Sequence, residues 1–187
     1  EPGTNPGFLF QQNTMRDALV ASLSFDVFHK YTRRLKMCNI AQIVNVLQSM
    51  ILTNPEGGMV LTPTYYAFKM YNVRQDATYL PADLKCTHVK DAVGRDVPLI
   101  SSTASKDQKG VMHLSVSNCS PNEAQTVTVS LEQMQIKSAE GEILTSEHVY
   151  DINSFDQPNV VKPAKFTGAK VKDGKLILTL PPYSVVT

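Results

Sequence analysis

The sequence predicts a remnant of parallel α/β structure followed by an all-β antiparallel sandwich. Three observations carry that prediction. Residues Ile43 to Leu52, apolar at seven of ten positions, read as a buried strand. Amphipathic helix patterns flank the run, one opening at Thr14 and one spanning Thr64 to Gln75. From about Thr78 the hydrophobic period changes to two. A helix, a buried strand and a helix make a piece of a parallel sheet, and such a sheet needs more strands than this chain supplies. The sequence therefore reads as part of a larger protein, with residues 1–77 as one unit and 78–187 as the sandwich.

Residues 1–7 hold two Pro and two Gly, which predicts a loop. Thr14 followed by Asp17 is a capping pair that starts a helix. Met15, Leu19, Ser22, Leu23, Asp26 and Val27 recur at near-helical spacing, the broad stripe of a helix packed on a sheet. Lys30, Arg33 and Arg34 suit the negative end of its dipole. Asn54 to Gly58 reads as a turn after the buried strand, and Thr62-Pro63-Thr64 as a helix start with Pro in the first turn. Further on, Val111, Met112, Leu114 and Val116 alternate with His113, Ser115 and Ser117. Val127, Val129 and Leu131 alternate with Thr126, Thr128 and Ser130, and Leu176, Leu178 and Leu180 with Lys175, Ile177 and Thr179. Such alternation predicts strands with one buried and one wetter face. Asp173-Gly174 supplies the positive φ angles of a two-residue hairpin turn.

Composition excludes several classes. The formal net charge of +1 lacks the basic excess of a nucleic-acid binder. No apolar run approaches the ~20 residues of a membrane helix. Cys38, Cys86 and Cys119 are odd in number and widely spaced, which predicts buried or incidental thiols.

The chain shows no nucleophile elbow, phosphate loop, dinucleotide fingerprint or zinc-protease helix, and no cofactor is expected. His29, His88, His113 and His148 are isolated, and His113 falls on the outward phase of its strand. Glu56 reads as a solvated loop carboxylate more than a general acid. Glu147, Asp151 and Asp156 lack the spacing of a calcium loop. Tyr65, Tyr66 and Tyr71 sit at helical spacing, which favours core over sugar stacking. Gln42 and Asn45 stand apart as amides in an otherwise apolar segment. Such amides either satisfy the backbone or face a ligand at the C-terminal end of a barrel strand, and the residues alone leave both open.

Several strings resemble the late part of the family 51 α-L-arabinofuranosidases: Asn5-Pro6-Gly7-Phe8-Leu9, Gln11 to Ala21, Asn39-Ile40-Ala41-Gln42-Ile43-Val44-Asn45-Val46, Val60 to Tyr65 and Leu180 to Val186. The likeness is dense to about Leu84 and looser in the sandwich. It implies a (β/α)8 barrel followed by a β-sandwich, with this chain holding the last helices, the eighth strand and the sandwich. It also implies a retaining hydrolase acting on terminal arabinofuranosyl units of arabinan, arabinoxylan and related oligosaccharides, commonly as a homo-oligomer. Both catalytic Glu of such an enzyme are expected upstream of Glu1, leaving no catalytic residue in this chain. Gln42 matches the family position that hydrogen-bonds a sugar hydroxyl in the arabinose pocket; nothing carries over for Asn45. The alternative expectation is a non-catalytic carbohydrate-binding sandwich. The absence of Trp and the 7% aromatic content disfavour it.

Overall fold

The computed structural model describes residues 13–41, 43–132 and 134–187. The chain opens with α1 (Met15–Lys30), then β1 (Ile51–Thr53), β2 (Met59–Leu61), α2 (Pro63–Tyr71) and a 3-10 turn (Asn72–Arg74). Eleven further strands follow among the described residues: β3 (Thr78–Leu80), β4 (His88–Lys90), β5 (Asp96–Pro98), β6 (Ile100–Lys106), β7 (Met112–Asn118), β8 (Gln125–Val129), β9 (Glu142–Leu144), β10 (Ala164–Lys165), β11 (Ala169–Lys172), β12 (Lys175–Leu180) and β13 (Ser184–Val186).

The two helix starts are dictated locally. At α1, Asp17 Oδ2 accepts from the backbone N–H and the hydroxyl of Thr14 at 2.7 and 2.9 Å, closing the expected capping pair. At α2, Thr62 caps the Tyr65 N–H and Pro63 occupies the first turn. Met15, Ala18, Leu19, Ser22, Phe25 and Asp26 form the buried face of α1. Val27, expected in that stripe, is half exposed; the true stripe advances through Phe25 instead.

Beneath the helices lies a six-stranded antiparallel sheet in the order β10-β9-β13-β7-β6-β3, and beneath that a three-stranded sheet in the order β11-β12-β8. Strand alternation sorts side chains between two cores. Leu144 and Val185 point up into a cluster with Met15, Leu19, Phe25, Ala67, Met70 and Tyr71. Their neighbours Ile143 and Val186 point down to meet Ile100, Val116, Leu176, Leu178 and Leu180. Each fully buried Leu or Val contributes about 1.5–3 kcal/mol. The antiparallel two-sheet body is thus as expected, and the hairpin turn forms with φ of 51° at Asp173 and 71° at Gly174.

Three expectations need correction. Ile43 to Leu52 is not one buried strand. Ile43 and Val44 are 55% and 46% exposed, and Asn45 and Gln48 both adopt φ of 54°. Only Ile51–Thr53 joins a ladder, antiparallel to β2; the parallel pairing in this segment is the single bridge between Val44 and Ile51. A parallel strand is held by neighbours on both sides, and the described residues provide none here. The second correction concerns the serine face of β7. Ser115 and Ser117 are fully buried rather than wet, Ser117 against Ser22 of α1 and Ser115 against Arg74, and His113 is half-buried against Asp107 at 3.2 Å. Third, Cys38 is exposed, while Cys86 and Cys119 are partly buried.

Candidate functional site

The expected sugar-binding position, Gln42, lies outside the described residues. The segment that follows it is held from several sides. The Ile43 carbonyl accepts from the N–H groups of Met50 and Ile51 at 2.9 and 3.1 Å. Asn45 pairs with Thr53 twice, its Nδ2 donating to Oγ1 and its Oδ1 accepting from the backbone N–H, both at 2.8 Å. Asn45 therefore satisfies local backbone, the first of the two roles open to it. Gln48 Nε2 donates to Asp17 Oδ1 at 3.1 Å, tying the segment to the first turn of α1. Thr62 Oγ1 donates to the Ser49 carbonyl at 2.7 Å, tying it to the start of α2. The amides and hydroxyls named here are engaged by other groups of the chain.

The carboxylates are elsewhere. All glutamates among the described residues are exposed: Glu56, Glu123, Glu132, Glu140, Glu142 and Glu147. Glu56 sits in the turn between β1 and β2. Asp151 Oδ2 accepts from the His148 N–H, and Asp156 is exposed. Among the described residues, no cluster of three or more His, Cys, Asp or Glu is disposed to hold a metal. Tyr71 is core, whereas Tyr65 and Tyr66 meet edge to face with centroids 5.5 Å apart at a partly exposed position. His88 pairs with Asp96 at 2.6 Å on the exposed β4–β5 hairpin.

The densest polar chemistry lies between the helices and the six-stranded sheet. Asp26 is 1% exposed. Its Oδ1 accepts from the Tyr71 hydroxyl at 2.8 Å and its Oδ2 from the Ser101 hydroxyl at 2.6 Å. Burial pushes its carboxyl up to about 6, against the opposing pull of those two donors and of Arg74. Arg74 donates to the Thr103 and His113 carbonyls and to the Ser105 and Ser115 hydroxyls. Its guanidinium lies 5.4 Å from the Tyr71 ring centre. Burial lowers the Arg74 pKa and raises that of Tyr71 well above the usual range. His29 stacks on Tyr71 at 5.9 Å, and burial followed by Arg74 brings its imidazole down to about 4. Sealed from solvent, Asp26 has no access to a substrate, and the cluster braces the helices on the sheet.

The helical period places Ser22 and Asp26 on the buried stripe of α1. A carboxylate at a core-facing position demands buried donors, and the alternating Ser face of β6 and β7 supplies one, Ser101. Arg74 carried no comparable signal. One open cleft of about 400 Å³ lies beside β8, lined by Lys85, Cys86, Thr87, Ile100, Gln125, Thr126 and Val127. It contains no aromatic platform.

The chain is 59% identical over all 187 residues to a protein named intracellular exo-alpha-L-arabinofuranosidase from Bacteroides ovatus, spanning 36% of that relative. It superimposes on the GH51 arabinofuranosidase from Xanthomonas axonopodis pv. citri with a TM-score of 0.93 at 44% identity, covering 100% of this chain and 37% of that one. The arabinose complex of the Thermotoga maritima α-L-arabinofuranosidase shares the fold, with a TM-score of 0.79 at 22% identity over 98% of this chain and 39% of that one. The chain thus spans little more than a third of the relatives it matches. Residues 1–184 match the family described as the alpha-L-arabinofuranosidase C-terminal domain, and the chain belongs to that family.

Proposed function

We propose that this chain is the C-terminal part of a retaining α-L-arabinofuranosidase that releases terminal α-L-arabinofuranosyl residues from arabinan- and arabinoxylan-type glycans. In this reading residues 1–77 complete a (β/α)8 barrel, Gln42 lends an amide to the arabinose pocket, and residues 78–187 brace the barrel. Family membership supports the activity class. The observation that carries the division of labour is the placement of carboxylates. Retaining hydrolysis needs two of them about 5–5.5 Å apart across the sugar. Here the described glutamates are exposed, and the buried carboxylates among the described residues, Asp17 and Asp26, are committed to a helix cap and to the Tyr71–Ser101 pair. The isolated chain is therefore expected to be inactive.

A second feature supports a missing barrel body. Val20, Val27 and Tyr31 line the outer side of α1 at 56%, 50% and 55% exposure, with Ile43, Val44 and Met59 also open to solvent. Apolar surface of this extent is normally covered. The homo-oligomer implied by the resemblance draws support from the β4–β5 hairpin, whose paired Val89 and Val97 and tip Val93 are exposed.

The test is Gln42→Ala in the intact enzyme. A buried hydrogen bond to sugar contributes about 1–3 kcal/mol, so kcat/KM should fall roughly 5- to 150-fold. An unchanged kcat/KM would remove Gln42 from the pocket.

One observation favours the alternative of a glycan-binding sandwich. Tyr150 is 66% exposed and stacks on His148 with ring centres 5.0 Å apart, a rigid face of the kind sugars pack on. Affinity electrophoresis against arabinan separates the readings: retardation abolished by Tyr150→Ala supports binding, and free migration supports bracing.

A further inference from the structure

Two titratable side chains of α1 meet one buried tyrosine, one at its hydroxyl and one on its ring. Asp26 takes the Tyr71 hydroxyl at 2.8 Å, and His29 lies on the Tyr71 ring at 5.9 Å with its Nδ1 buried and without a hydrogen-bond partner among the described residues. Closure of α1 and α2 on the six-stranded sheet takes Asp26 out of water and His29 partly out of it. Burial favours the neutral form of each, so it favours a protonated Asp26 and a deprotonated His29. We propose that Asp26 and His29 form an opposed pair that keeps the closure of the helical layer on the sheet nearly independent of pH between about 5 and 7.5.

The signs follow from linkage. Asp26 is raised from 3.8 to about 6, so its contribution to closure is full below 3.8 and is lost as pH rises through 6. His29 is lowered from 6.5 to about 4, so its contribution is full above 6.5 and is lost as pH falls through 4. The two losses run in opposite directions over one window. The other charged and titratable groups facing the pair come from each element around it. Lys30 on α1 and Arg74 on the 3-10 turn are cations that pull Asp26 down. Tyr71 on α2 is held protonated, and burial lifts the Cys119 thiol after β7 to about 11. Among the described residues the sheet presents hydroxyls to this site, from Ser101 on β6 and Ser117 on β7.

The pair gives a joint whose tightness survives mild acidification although it buries an acid. Either partner alone would make the joint a pH switch. The experiment is amide hydrogen exchange on the full chain at pH 5 and pH 7.5, reading the opening equilibrium of α1 and α2 amides against those of β6 and β7. The wild type should change by less than about threefold. In His29→Phe, which keeps the stack on Tyr71, opening should become about tenfold more frequent at pH 7.5, the Asp26 slope alone. In Asp26→Asn it should become several-fold rarer at pH 7.5, the slope of the partly exposed His29. Parallel profiles in all three proteins, or a steep wild-type profile, overturn the proposal. Should a variant not fold, wild-type NMR titration decides. Midpoints near 6 for the Asp26 carboxyl and near 4 for the His29 ring support it; midpoints near 3.8 and 6.5 overturn it.

Discussion

The Tyr71 hydroxyl donates to Asp26 Oδ1 at 2.8 Å across 45 residues of sequence, joining the end of α2 to the middle of α1. Tyr71→Phe removes that donor and keeps the ring. A buried carboxylate left short of one hydrogen bond costs about 1–3 kcal/mol. Urea unfolding should show that loss at pH 7.5. The loss should shrink at pH 4.5, where the acid, already raised to about 6, is protonated. An equal loss at both pH values would mean that the hydroxyl serves packing rather than the charge.

Arg74 is the second anchor. Its guanidinium satisfies two carbonyls and two hydroxyls of β6 and β7, and its charge helps hold Asp26 ionised. Arg74→Met strips those donors and removes the turn's cation from the surroundings of Asp26. Breaking such a buried set should cost about 3–5 kcal/mol. The Asp26 carboxyl should also titrate above its wild-type midpoint by NMR. A smaller cost with an unmoved midpoint would contradict the role given to Arg74.

Glycines divide by what surrounds them. A Cβ at Gly168 would stand 2.4 Å from the Thr179 carbonyl oxygen and 2.7 Å from the Phe166 ring. At Gly57 it would meet nothing within 4 Å, and only the positive φ of 83° opposes it. Gly168→Ala should therefore destabilise by about 1–3 kcal/mol or more through overpacking, and Gly57→Ala by about 1–2 kcal/mol through backbone strain. Thermal melts of the two variants should rank in that order.

The outer side of α1 should make the isolated chain self-associate. Replacing Val20 and Val27 by Glu places charge on the open apolar stripe without touching the buried face. Sedimentation velocity should show the wild type shifting to larger species with concentration and the double variant remaining monomeric. A monomeric wild type would argue that the stripe is tolerated as free surface.

These outcomes bear on how much the sequence disclosed. Period-two patterns gave β7, β8 and β12, because alternation records which face is buried. Asp173-Gly174 gave its turn because few residue pairs accept two positive φ angles. Thr14 with Asp17 and Thr62 with Pro63 gave both helix starts for equally local reasons. The failures were tertiary. Ser115 and Ser117 look like a wet face until a helix carrying Ser22 and Asp26 lies on them; Ser22 meets Ser117 hydroxyl to hydroxyl at 2.9 Å. Ile43 to Leu52 looks like a buried strand because its composition is largely apolar, yet among the described residues only its end is paired, antiparallel to β2. Gln42 is proposed on resemblance alone, since a single amide carries no physical signature of binding.

The central claim is that this chain contributes a pocket wall and a brace while the reacting carboxylates belong to the rest of the enzyme. Assay of the purified 187-residue chain on a chromogenic α-L-arabinofuranoside, beside the intact enzyme, tests it most directly. The account predicts release of the chromophore by the intact enzyme and none above buffer by the chain. Turnover by the chain well above buffer would contradict it.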